Sequence, residues 1–117
     1  MNNPLPECPD TPNCARISKP FPEAPEILFE ASASVLNKMG AIEITENRKN
    51  LYIEAVFRIR LFGFKDDMQV RITRDGRSGV LHARSASRAG SSDFGVNKRR
   101  IRRFLKKLNY WLRSRTQ

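Results

Sequence analysis

Histidine occurs once in this chain, as His82, tryptophan once, as Trp111, and cysteine only twice, as Cys8 and Cys14. Each scarcity excludes something. A zinc site usually takes four good ligands, and one histidine with two cysteines falls short. A Ser-His-Asp arrangement would have to use His82, and no Gly-x-Ser-x-Gly elbow presents a serine to it. There is no P-loop and no dinucleotide-binding glycine pattern, so no cofactor is expected. No apolar run approaches the roughly 20 residues needed to cross a bilayer. The opening residues hold no hydrophobic block that would read as a signal peptide, which makes the cytoplasm the expected compartment.

Acidic residues are missing from one region only. The chain carries 22 Lys and Arg against 12 Asp and Glu, a net charge of +10. Up to Asp93 the two signs nearly balance. From Phe94 onward there are nine basic residues and no acidic one. The excess charge therefore belongs to one segment. At 117 residues, 39% of them hydrophobic, the chain has material for one core and no second one.

All seven prolines lie between Pro4 and Pro25. They exclude a helix there and predict an extended Pro-rich arm over residues 1–25, ahead of a single α+β domain over 24–117. Within that domain Ile27, Leu28, Ala31, Val35, Leu36 and Met39 form one stripe, predicting a helix over 24–39 that Gly40 stops. Four strand-like segments follow. Ile42 and Ile44 alternate with acids in 41–46. Leu51, Ile53, Ala55, Phe57, Ile59 and Leu61 share one face of 50–61, with Tyr52, Glu54, Val56, Arg58 and Arg60 on the other. Met68, Val70 and Ile72 point inward in 67–73. The Asp75-Gly76 pair marks a hairpin into a fourth strand, 79–87. A last helix begins after Ser92-Asp93, where Ile101, Phe104, Leu105, Leu108, Trp111 and Leu112 recur at helical spacing. The order α-β-β-β-β-α predicts a four-stranded antiparallel meander with both helices packed on one face.

For Cys8 and Cys14, three readings of the residues stand side by side. They are a local disulfide worth about 2 kcal/mol of loop closure, two reduced thiols, or part of a metal site short of ligands.

Three stretches carry a resemblance. They are Cys8-Pro9-Asp10-Thr11-Pro12-Asn13-Cys14, Phe64-Lys65-Asp66-Asp67, and the long run from Arg84 to Ile101. Together they resemble the bacterial and plastid domain-of-unknown-function family 1499, from Cys8 to about Leu108. The resemblance implies an α+β fold and no assigned activity. Because many relatives carry export signals or membrane segments, it also implies a Cys8–Cys14 disulfide and a periplasmic or membrane-peripheral setting.

The run 84–98 holds the candidate site. Arg84 and Arg88, four apart on a strand, point to one face, with His82 two residues before; Ser85 and Ser87 point to the other. The turn through Ser91, Ser92 and Asp93 leads into a helix that Asp93 or Ser92 would cap. With Asn97 and Lys98 in the first turn, the arrangement suits a phosphate or carboxylate. The structural alternative pairs Arg84 or Arg88 with Asp66 or Asp67 on the adjacent strand.

The basic helix adds a second surface. Lys98, Arg99, Arg100, Arg102, Arg103, Lys106, Lys107, Arg113 and Arg115 make a wide cationic face. Six large apolar side chains on its other side would contribute on the order of 10 kcal/mol on burial. Attraction to anionic lipid adds about 1 kcal/mol per basic residue. The apolar stripe should stay docked and leave the cationic face for peripheral contact.

The expected function is a non-enzymatic binding module that presents the Arg84–Asn97 turn and the basic face to an acidic protein, an anionic ligand or a lipid surface. The alternative is a small hydrolase or transferase using His82 with Ser85 or Ser87. Nucleic-acid binding through the last helix ranks third, because Tyr52 is the only aromatic placed on the wet sheet face.

Overall fold

The computed structural model describes residues 2–10, 13–59, 63–88 and 95–115. Seven elements follow one another: β1 (Cys14–Phe21), α1 (Pro25–Lys38), β2 (Glu43–Asn47), β3 (Tyr52–Arg58), β4 (Lys65–Asp75), β5 (Ser78–Ser87) and α2 (Val96–Ser114). The α+β class holds, but the sheet has five strands, not four, in the order β1-β5-β4-β3-β2. All four pairings are antiparallel. The meander is β2 to β5. The additional strand comes from the segment read as an arm, which returns to pair with β5 from Cys14↔Ala86 to Phe21↔Gly79.

Prolines hid this strand. Pro20 stands opposite Val80 in an edge strand, the one place in a sheet where a residue without an N–H costs little. The alternation is nevertheless there: Phe21 is buried, and Ala15 and Ile17 pack against the core, while Arg16 and Ser18 turn outward. α1 then carries the chain from this edge to β2 at the opposite one.

The core fills the space between the helices and one sheet face. Ile53, Ala55 and Phe57 of β3, Met68, Val70 and Ile72 of β4, and Leu81 and Ala83 of β5 meet Leu28, Phe29, Val35 and Leu36 of α1 and Ile101, Phe104, Leu108 and Leu112 of α2. Gly79 sets how closely α1 approaches. A Cβ there would lie 2.7 Å from Leu28 Cδ1 and 3.3 Å from Ile72 Cγ2. The Asp75-Gly76 turn forms as expected, with Gly76 at φ 61°, the positive value that a two-residue hairpin needs at its first central position.

α2 departs from expectation at its start. Its N-cap is Gly95, in the left-handed region at φ 79° and with no side-chain cap. The caps expected there, Ser92 and Asp93, lie outside the described residues, as does Ser91. No helix among the described residues is long and apolar enough to cross a membrane.

Candidate functional site

Asp66 and Asp67 are neighbours on β4, so their side chains leave the sheet on opposite faces. Asp66 shares its face with Met68, Val70 and Ile72 and is 0% exposed. A carboxylate there must be paired or hydrogen-bonded. Its partner is Arg100, one turn into α2, with Nη1 2.7 Å from Asp66 Oδ2.

Arg100 organises a cluster around that pair. Nη1 also donates to Ser85 Oγ at 3.1 Å and Asn97 Oδ1 at 2.8 Å. Ser85 Oγ donates to Asn97 Oδ1 at 2.6 Å. Asn97 Nδ2 donates to Ser87 Oγ at 2.9 Å and to the Asn13 carbonyl at 3.1 Å. The same carbonyl accepts the Ser87 backbone N–H at 3.0 Å. The guanidinium lies 4.8 Å above the Phe57 ring, a cation–π contact in a site almost without water access. The three stretches that carry the resemblance therefore converge, through Asn13, Asp66 and the Ser85–Arg100 run, on one buried polar cluster.

This placement divides the expected anion site. Ser85 and Asn97 are buried and bonded internally, and Ser87 joins them. They lock α2 to β5 and β1 and are not offered to an external ligand. The pairing of Asp66 with Arg84 or Arg88 is corrected, because those arginines lie across the sheet from it. One signal for Arg100 was available: an inward aspartate in an apolar alternation calls for an inward cation. Arg100 stands three residues after Asn97 and next to Ile101, on the docked face of the helix.

On the outer face, Arg88 grips Asp67 through two bonds of 2.9 Å, Nε to Oδ2 and Nη2 to Oδ1. The expected pairing of these two residues is present, and it is exposed. The carboxylate raises the arginine's pKa further above its ordinary value. Arg84 donates to the Glu7 carbonyl at 3.3 Å. Arg16, beside it on β1, donates to the carbonyls of Asn3 and Leu5. Residues 3–7 thus fold back over the outer face, where Leu5 is buried. A disulfide between Cys8 and Cys14 ties this strap to the first residue of β1. That selects one of the three cysteine readings.

His82 also lies on the outer face, yet is only 1% exposed. Its Nδ1 shares a hydrogen bond with Ser18 Oγ at 2.7 Å and its Nε2 one with Thr73 Oγ1 at 2.9 Å. Neither Ser85 nor Ser87 reaches it, since both stand on the other face. Burial, and then the charges of Arg16 and Arg71, hold its pKa below the ordinary 6.5. Both ring nitrogens are thus engaged by hydroxyls, and no carboxylate is among the partners of His82 in the described residues.

The outer face of α2 is different. Lys98, Arg102, Arg103, Lys106 and Lys107 are exposed, and none forms an ion pair with the described residues. Between α2 and the end of α1 a groove of about 490 Å³ is lined by Val35, Lys38, Arg103, Lys106, Lys107, Tyr110 and Trp111. No group of three or more His, Cys, Asp or Glu side chains among the described residues is placed to hold a metal ion.

The family model described as "Protein of unknown function (DUF1499)" matches residues 4–108. The chain belongs to this family. The match takes in the strap from Pro4 onward, the disulfide and every member of the Asp66–Arg100 cluster, and stops at Leu108, six residues before the end of α2. No curated protein matches the chain. Among solved structures, the crystal structure of Ara h 8.0201 is similar, with a TM-score of 0.63 and 10% identity over 85% of this chain and 97% of that one. At that identity the likeness shows a shared fold. The protein CV1439 from Chromobacterium violaceum aligns with a TM-score of 0.49 and 10% identity, over 83% of this chain and 95% of that one.

Proposed function

We propose that this chain is a non-enzymatic binding module that offers the outer face of α2 to an anionic partner. The observation carrying this reading is the set of exposed cations Lys98, Arg102, Arg103, Lys106 and Lys107, without an ion pair among the described residues, on a helix that has no acidic residue. Elsewhere on the surface, arginines stand beside acids: Arg48 with Glu30, Arg74 with Glu26, Arg88 with Asp67. On α2, Arg100 is held in the buried pair with Asp66, while those five exposed cations form no ion pair among the described residues. The apolar side of the helix is committed to the core, so the cations project from an ordered backbone and the ordering cost of binding falls on their side chains alone.

The Arg84–Asn97 turn contributes less to this reading than the helix does. Ser85, Ser87 and Asn97 hold the platform in place. Arg84 and Arg88 keep their charge on the outer sheet face but are engaged with Glu7 and Asp67.

Retention on a polyanion such as heparin, eluted with salt, tests the reading. A Lys106→Glu/Lys107→Glu variant should elute at clearly lower salt than the parent. A Lys49→Glu/Arg77→Glu variant has the same net charge with its changes on the strand turns, and should elute close to the parent. Equal losses in both variants would reduce the effect to net charge and end the proposal.

A further inference from the structure

The groove beside the basic face is lined by two kinds of chemistry. Val35, 2% exposed, forms part of its apolar floor with the rings of Trp111 and Tyr110. Trp111 is half-buried, while Tyr110 is 69% exposed, the highest value among the exposed large hydrophobic side chains. Around them stand Lys38 at the last turn of α1 and Arg103, Lys106 and Lys107 on α2. None of these four forms an ion pair among the described residues.

A ligand for this place must carry negative charge at its rim and an apolar part at its centre. A nucleic-acid duplex satisfies the cations with its phosphates but keeps its bases stacked inside, and leaves the apolar floor against water. An acidic protein loop has the same shortcoming unless it also brings an apolar residue. A phospholipid with an anionic headgroup has both parts on one molecule, and Trp and Tyr rings are enriched at the level of the headgroups in membrane interfaces. Lysine stems can lie along apolar surface while their ammonium groups stay with the phosphates.

We infer that the groove formed by Lys38, Arg103, Lys106, Lys107, Tyr110 and Trp111 docks the chain on an anionic phospholipid bilayer, a step that rests on the basic-face reading above. The contact is peripheral. Ile101, Phe104, Leu108 and Leu112 are all buried in the core, so α2 has no apolar face free to sink into the acyl region. Tyr110 and the edge of Trp111 reach the headgroup boundary, and the cations sit among the phosphates. Each basic residue near an anionic leaflet is worth about fivefold in partitioning.

The test uses the full chain and vesicles of phosphatidylglycerol mixed equally with phosphatidylcholine, with phosphatidylcholine alone as control. Co-sedimentation reports binding. Quenching of Trp111, the only tryptophan, by brominated acyl chains reports where the contact lies. The chain should pellet with the anionic vesicles only, Trp111 should be quenched, and high salt should release most of it. A Lys106→Ala/Lys107→Ala variant should partition about 25-fold less, and Tyr110→Ala should weaken binding with the salt dependence unchanged. All three positions are exposed, so circular dichroism should show the fold intact.

Pelleting with Trp111 unquenched and the lysine variant unaffected would overturn the assignment to this groove. Retention on heparin or binding to duplex DNA with no vesicle binding would overturn the lipid inference and leave the basic-face reading standing. Failure on every polyanion and on vesicles alike would overturn both.

Discussion

Asp66 and Asp67 differ by one position in sequence and by the whole thickness of the sheet in environment. Each is paired with an arginine, at 2.7 Å for Asp66–Arg100 and 2.9 Å for Asp67–Arg88. The inner pair is 0% and 7% exposed by side chain; the outer pair is 46% exposed on both sides. The outer pair is well formed, with two parallel bonds, yet solvent screens it and competes for each group. In the inner pair both charges have left water, and neither Asp66 carboxylate oxygen nor Arg100 Nε has a hydrogen-bond partner among the described residues, so the 2.7 Å contact is an ion pair outside hydrogen-bond geometry. Good geometry and large energetic consequence thus fall on different pairs. A buried pair is poor evidence of net stabilisation against an apolar substitute, but removing one member strands the other.

Arg100→Ala should give the largest loss in the molecule. It leaves Asp66 uncompensated in the core and strips Ser85 and Asn97 of a donor, so unfolding in urea should show a loss of about 3–5 kcal/mol. An Asp66→Leu/Arg100→Met double variant should recover much of that loss. If the double is as damaged as the sum of its parts, the pair is not the coupled unit described here.

Next comes Asn97→Ala. It removes the amide that joins Ser85, Ser87 and the Asn13 carbonyl, and it should cost about 1–3 kcal/mol. Most of the lost protection from hydrogen exchange should appear in β1, because Asn97 bonds to the residue just before that strand. A loss spread evenly over the sheet would show that the cluster does not anchor that edge.

The pH dependence of His82 tests the outer face. The folded pKa lies below 6.5, so the unfolded chain takes up its proton first. Stability is then complete above about pH 6.5 and declines as pH falls from there to the folded pKa, below which this contribution levels off. Thermal unfolding from neutral pH to about pH 5 should show that decline, and His82→Gln should flatten it. An unchanged slope in the variant would assign the pH dependence to other groups.

Arg88→Ala should have the smallest effect, a change in melting temperature close to the scatter of replicate scans. A loss approaching that of Arg100→Ala would abolish the distinction between the two faces.

Much of the fold was legible in sequence because its signals are local. The alternation of Ile53, Ala55 and Phe57 and of Met68, Val70 and Ile72 requires nothing beyond a sheet with one dry side. The spacing of Ile101, Phe104, Leu108 and Leu112 likewise requires only a helix with one docked side. β1 was obscured because Pro20 and Pro22 argue against a strand unless it is known to lie at an edge. Edge position is a property of the sheet, not of the eight residues. The candidate site was legible as a set of residues but not as a partition. Ser85, Asn97 and Asp66 were all singled out, while their assignment to a buried lock depended on Arg100, 34 positions away from Asp66.

The sequence by itself determined the meander, the two amphipathic helices and the concentration of unopposed positive charge after Asp93. Periodicity and net charge are sums over nearby residues, and no partner is needed to read them. Only the tertiary structure decided which aspartate meets which arginine, that the N-terminal residues strap the outer face, and that Lys38 joins the cations of α2 around Tyr110 and Trp111. Those contacts join positions remote along the chain. They follow from how the sheet twists and where α2 docks, because pairing between side chains is fixed by distance in space, which local sequence does not encode.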